Sequence, residues 1–150
     1  MFLQNLTNTI CFDCGHELRW RRRYTVDDPF VGRITVYGKY LHCPNCGSDE
    51  VPYETLKLVE DVRKELIERL LLIRIGSSVE FDRQYIHTKE AAAILELSYQ
   101  AVAQSKVIRN CIYNLFIGGK RYWLKESVER FRDTGEGRFP LFMQNDTASS

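Results

Sequence analysis

Cys11-Phe12-Asp13-Cys14-Gly15 and Cys43-Pro44-Asn45-Cys46-Gly47 are the two stretches on which the fold of this chain depends. Each sets a pair of thiols three residues apart and follows it with glycine, whose missing Cβ allows a tight turn with backbone N–H groups aimed at the sulfurs. Two such turns offer four soft donors to one point, which is what a tetrahedral zinc ion requires. The segment between them reads as strand: residues 19–26 and 33–40 are rich in β-branched and aromatic side chains and are parted by Asp27-Asp28-Pro29 and Gly32. A hairpin there brings the second knuckle back beside the first. Cys11, Cys14, Cys43 and Cys46 are therefore predicted to bind one structural Zn2+ in a β-rich ribbon over residues 1–52. Metal binding of this kind is worth on the order of 10 kcal/mol, enough to fold a domain too small to do so by burial alone.

Iron in a rubredoxin-like site would take the same four ligands. A redox Cys-x-x-Cys belongs beside a βαβ pattern, which the sequence lacks. Four thiolates also leave no open coordination position for catalysis. His16 and His42 lie near the knuckles and are expected to be exposed or to neighbour the ligands, while Cys111 reads as a small buried hydrophobe.

Beyond Pro52, the apolar residues Leu56, Val59, Val62, Leu66, Leu70 and Ile73 recur at steps of three and four, predicting a helix over residues 53–74 inside a linker segment 53–82. Val59, Leu66 and Ile73 keep a spacing of seven, so self-association as a homodimer through this helix is one expectation. Gly76-Ser77-Ser78 interrupts it. Thr88 is then read as an N-cap with Glu90 in the first turn, opening a helix that ends at Leu95. Glu96-Leu97-Ser98 is a turn, Ser98 a second N-cap, and a second helix is predicted from Tyr99 to about Arg109, burying Val102 and Ile108. Residues 112–117 and 121–124 are strand-like around a Gly118-Gly119 turn, with Trp123 and Leu124 in the core. Residues 125–132 close the module as a helix with Val128 and Phe131 inward, and 133–150 are expected to form a mobile tail.

The chain has 150 residues, 44% of them hydrophobic and 27% charged, which fits one average domain or two small ones and leaves little room for a large enzyme core. No run of eighteen apolar residues and no signal-like start is present, so a cytoplasmic protein without membrane contact is expected. The net charge of +1 hides a segregation. Residues 83–132 carry nine basic and four acidic side chains, the electrostatic footprint of a phosphate-binding module. No His-Glu-x-x-His and no nucleophile–base constellation stands out, so no enzymatic activity is expected.

Thr88-Lys-Glu-Ala-Ala-Ala-Ile-Leu-Glu-Leu-Ser-Tyr-Gln-Ala-Val102 followed by Ile117-Gly-Gly-Lys-Arg-Tyr-Trp-Leu-Lys-Glu-Ser-Val128 resembles the MerR/excisionase-type winged helix-turn-helix. In that pattern Ala92, Leu95, Leu97 and Val102 lock the two helices together. Glu96 stands where that family usually has glycine. Asn110 stands near the glycine that usually ends the second helix, and asparagine tolerates the left-handed conformation. The resemblance implies double-stranded DNA as the partner. The second helix would lie in the major groove with Tyr99, Gln100, Ala103, Gln104 and Lys106 outward. Lys89 and Arg109 would suit phosphate or guanine, and the wing tip Lys120, Arg121 and Tyr122 would follow the backbone or minor groove.

Residues 11–52 resemble the YgiT-type zinc finger found at the front of MqsA-like antitoxins, which implies a protein partner held through the zinc domain. The expected architecture is thus α+β: a small β-rich zinc ribbon (1–52), a linker helix (53–82) and a winged helix-turn-helix (83–132). The expected function is sequence-specific DNA binding by a prokaryotic or phage transcriptional regulator or excisionase-like factor. The alternative is an antitoxin-like module that holds a protein and autoregulates. Arg19-Trp20-Arg21-Arg22-Arg23-Tyr24 is left with three readings: a solvated face, a second DNA contact, or a protein-docking surface.

Overall fold

The computed structural model describes residues 10–142. Among these the chain is mixed α+β, with two small antiparallel sheets and six helices. It divides into two compact units: the first holds the described part of Met1–Asp28 with Arg33–Lys64, and the second takes Pro29–Gly32 and continues from Glu65.

In the first unit β1 (Arg19–Asp28) and β2 (Gly32–His42) form the hairpin that the alternation predicts. The short β3 (Asp49–Glu50) pairs with the end of β2, Leu41 opposite Glu50 and His42 opposite Asp49. From Arg33 to Tyr40 the side chains on β2 sort by parity, with Ile34, Val36 and Tyr40 buried and Arg33, Tyr37 and Lys39 exposed; the next residue, Leu41, is buried as well. Against this hairpin packs the start of α1 (Tyr53–Arg74). The Thr55 hydroxyl donates to the Lys39 carbonyl at 2.7 Å, and a Cβ on Gly38 would lie 2.7 Å from Thr55 Oγ1, so only glycine permits the approach. Farther along, Arg63 Nε donates to the buried Asp28 carboxylate at 2.6 Å, giving that desolvated charge its partner.

The second unit contains the rest of α1 and then α2 (Ser78–Gln84), β4 (Tyr85–His87), α3 (Thr88–Leu95), α4 (Tyr99–Gln104), α5 (Lys106–Cys111), β5 (Asn114–Ile117), β6 (Lys120–Leu124) and α6 (Lys125–Thr134). Its sheet runs β4-β6-β5, with Trp123 opposite both Ile86 and Asn114. Trp123 and Leu124 are neighbours on one strand and so point to opposite faces, yet both are buried. The sheet therefore has a core on each side. Trp123 packs with Val102, Ile108, Ile112 and Val128; Leu124 packs with Leu71, Tyr85, Leu115 and Phe139.

Several expectations need correction. Two short elements were not expected: α2, which Ser77 caps by accepting from Glu80 N at 3.2 Å, and β4, which joins the sheet. The cap of α3 is His87, whose N–H donates to Glu90 at 3.4 Å; Thr88 is already helical, and its Oγ1 instead accepts from Trp123 Nε1 at 3.0 Å. The second helix is two helices, because Ser105 leaves the helical region (φ −79, ψ 117) and its hydroxyl accepts from Ile108 N, capping a new start. Asn110 lies within α5; the left-handed residue is Glu96, at φ 57 and ψ 39. Leu97 is 43% exposed and lies outside the core cluster that contains Ala92, Leu95 and Val102.

The predicted stripe on α1 also splits. Val59 is buried, but Leu56 and Ile73 are exposed while Thr55 and Leu71 are buried, because each end of the helix serves a different core. Val59, first of the heptad-spaced residues, is consumed inside the chain's own fold. The tail begins later than expected. Phe139 and Leu141 are buried, Gly137 N donates to the Cys111 carbonyl at 2.9 Å, and Phe139 N donates to Tyr113 Oη at 3.2 Å. Residues 143–150, the remainder of that tail, lie outside the described residues. Cys111 itself is half-buried.

Candidate metal centre and candidate nucleic-acid interface

The two knuckles are built alike. Gly15 N donates to the Cys11 carbonyl and Gly47 N to the Cys43 carbonyl, both at 2.9 Å, with φ of 77 and 82 that a Cβ would oppose. The second closure is equally matched: Cys11 N donates to the His16 carbonyl and Cys43 N to the Ser48 carbonyl, each at 2.8 Å. These turns bring the four ligand atoms of Cys11, Cys14, Cys43 and Cys46 within 4.8 Å of one another. Cys11 Sγ lies 3.6 Å from Cys46 Sγ, and Cys14 Sγ lies 3.4 Å from Cys43 Sγ. Sulfurs held about 2.3 Å from a central zinc ion sit roughly 3.8 Å apart, whereas a disulfide needs about 2.05 Å. The cluster thus has the size of a tetrathiolate metal site.

Its electrostatics point the same way. Cys14 is drawn down to about 6, by the His16 N–H first and the Asn45 side chain next. Cys46 is lowered by the Ser48 hydroxyl and then the Ser48 N–H. At Cys11 the Cys14 N–H is the strongest influence and favours the thiolate, but desolvation and the neighbouring thiols carry the group up to about 11. Hydrogen-bond donors thus favour the thiolate at Cys14 and Cys46, while burial opposes it at Cys11. Neither histidine joins the cluster: His16 is exposed, and His42 Nδ1 lies 2.6 Å from Asp49 Oδ1. Ser48 was not anticipated. Its oxygen lies 2.6 Å from Asp13 Oδ2 and 3.2 Å from Cys46 Sγ, tying the second knuckle to the first.

In the second unit Ser98 caps α4 as the sequence predicts, accepting from Ala101 N at 3.1 Å. With Val102 fully buried, the helix turns Tyr99, Gln100 and Gln104 to solvent, and Lys106 follows at the start of α5; Ala103 is half-buried. Lys89 on α3 and Lys120 at the β5–β6 turn are exposed. That turn uses Gly118 at φ 59 and Gly119 at φ 80, as a two-residue hairpin loop demands. Tyr122 does not stand free: its ring is 5.1 Å from Phe81 and 5.2 Å from His87.

Arg109 and Arg121 are both half-buried. The Arg121 guanidinium donates to Asn114 Oδ1 and lies 5.2 Å from the Phe116 ring centroid. Its pKa is lowered by burial and then by the charge of Arg109. Arg109 Nε is buried with no hydrogen-bond partner, and no ion pair forms at either arginine among the described residues. Asn114 holds the pair in place, its Nδ2 donating to the Arg109 and Ile112 carbonyls at 3.0 and 2.7 Å. A lone asparagine in a strand-like run gives no sequence signal for that role. None of the helices among the described residues is long and apolar enough to cross a membrane. No protein-family model, no curated protein and no solved structure matches this chain.

Proposed function

We infer that the protein is a sequence-specific binder of double-stranded DNA, acting as a regulator or excisionase-like factor. Residues 83–132 serve as a winged helix-turn-helix, and the four cysteines hold a structural Zn2+. The observation that carries this reading is the Arg109–Arg121 pair, two neighbouring guanidinium groups with no carboxylate between them. Like charges brought together under partial burial are costly unless an anion neutralises them, and DNA phosphate is the anion that guanidinium forks match. On the same unit, α4 offers Gln100 and Gln104, whose amides can pair with adenine edges in the major groove. Lys89, Lys106 and Lys120 add phosphate contacts on the same unit, fixing register without reading sequence. Zinc, when bound, supplies a tetrahedral cross-link between the knuckles.

An anisotropy titration against the chain's own upstream DNA and a scrambled duplex tests the reading. Native DNA should bind more tightly, and its affinity should fall steeply with salt. Arg121→Ala should weaken both duplexes and flatten the salt slope by about one, whereas Gln100→Ala should cost roughly 1–3 kcal/mol at one base position. Equal, salt-insensitive binding of both duplexes would sink the proposal.

A further inference from the structure

The arginine run on β1 is unused by that interface and lies in the other unit. Strand alternation puts Arg19, Arg21 and Arg23 on one face with Thr25, and Trp20, Arg22 and Tyr24 on the other. Thr25 Oγ1 meets Thr35 Oγ1 at 2.9 Å and Arg33 Nε donates to Asp27 at 3.3 Å, so the odd-numbered residues of β1 and β2 share that face. Carrying the same register along the hairpin sets Arg23 across from Tyr37 and Arg21 across from Lys39. Tyr37 is 81% exposed. The opposite face packs on α1 through Gly38 and Thr55, so the basic face is the outward one.

This arrangement costs free energy in isolation, because like charges directly opposed across a hairpin repel. No acid compensates it: among the described residues, Arg19, Arg21, Arg23 and Lys39 make no ion pair. Alternate strand residues rise about 6.8 Å, close to the separation of successive phosphates along an extended nucleic-acid strand. Tyr37 stands among these cations with its ring in solvent, where an unpaired base can stack. Apart from the Tyr37 phenol, the face has no asparagine, glutamine or free hydroxyl to read base edges, since Thr25 and Thr35 engage each other. Those are the features of sequence-tolerant binding to a single strand.

We propose that the outward face of the β1–β2 hairpin binds single-stranded nucleic acid, with Arg19, Arg21, Arg23 and Lys39 on the phosphates and Tyr37 stacked on a base. This activity is independent of the duplex interface on the second unit. The test is anisotropy of labelled oligothymidylate with the full chain, wild type and variants, at several salt concentrations. The triple change Arg19→Gln, Arg21→Gln, Arg23→Gln should weaken binding at least about ten-fold and flatten the logarithmic salt slope by about two. Tyr37→Ala should lose about ten-fold and Tyr37→Phe very little. All these side chains are exposed, and unchanged metal content and circular dichroism will verify folding. Lys106→Ala, a change in the other interface, should leave oligothymidylate binding intact and weaken only the duplex, so the two proposals fail separately. Absence of wild-type oligothymidylate binding, or equal binding by the hairpin variants, would overturn the proposal. Competition by polyglutamate as effective as by the oligonucleotide would overturn it in favour of an acidic protein surface.

Discussion

Glu96 holds the conformation that its neighbours need and its own side chain resists. It closes α3 with its N–H donating to the Ala93 carbonyl at 3.2 Å, while Leu97 N reaches the Ala92 carbonyl at 3.0 Å. That geometry requires a left-handed residue, which costs an L side chain roughly 1 kcal/mol relative to glycine. Glu96→Gly should therefore raise stability by about 1 kcal/mol in a denaturant titration; an unchanged or lower midpoint would show that the strain is absorbed elsewhere. Ser127 is the contrasting case, fully buried and fully used. Its hydroxyl accepts from Tyr113 N at 2.8 Å and donates to the Gly137 carbonyl at 2.7 Å. Ser127→Ala should destabilise by about 1–3 kcal/mol, the cost of leaving buried backbone groups unpaired. A loss near zero in the same titration would mean that water replaces the hydroxyl. Only the first of these residues was legible in the sequence, where Glu96 stood out against a glycine-preferring pattern; Ser127 looked like any polar residue of a surface helix.

Among the elements, those whose signal is local agree closely with expectation. The two hairpins, the helix of residues 53–74 and the cap at Ser98 follow from alternation, three-and-four spacing and turn chemistry. The elements that escaped, α2 and β4, are short, and β4 exists because β6 offers it an edge: Tyr85 lies opposite Leu124 and Ile86 opposite Trp123. A three-residue strand has no periodicity to detect. Likewise α4 and α5 part at Ser105, a residue equally at home inside a helix or capping one. The segment after α6 is polar and turn-rich, which in sequence suggests a tail. Gly137 instead sits where a Cβ would lie 2.6 Å from the carbonyls of Cys111 and Ser127, so its glycine answers close packing and not mobility.

At the scale of the molecule, two units draw on different sources of stability. In the first, Cys11, Leu18, Leu41 and Cys43 form a small apolar cluster at the would-be metal ligands, and Ile34, Val36, Tyr40 and Val59 are also buried. The second buries a tryptophan, tyrosines and aliphatic residues on both faces of its sheet. Removing the metal should therefore unfold the first and spare the second. Freshly purified protein should carry about one equivalent of zinc, and Cys43→Ser should lose it. Amide exchange should then accelerate across β1 and β2, while Trp123, wholly buried in the second unit, keeps its blue-shifted emission. Under half an equivalent of metal in the wild type, or joint unfolding of both units, would refute this division. By itself the sequence determined the four-cysteine cluster, both hairpins and the capped helix at Ser98, because thiol spacing, strand alternation and turn glycines act over a few residues. Only the tertiary structure decided that Arg109 and Arg121 meet without an acid, that Val59 turns inward while Ile73 does not, and that the chain after Thr134 closes a core. Those outcomes depend on which distant surfaces meet, and burial is a property of the assembled fold that no local pattern encodes.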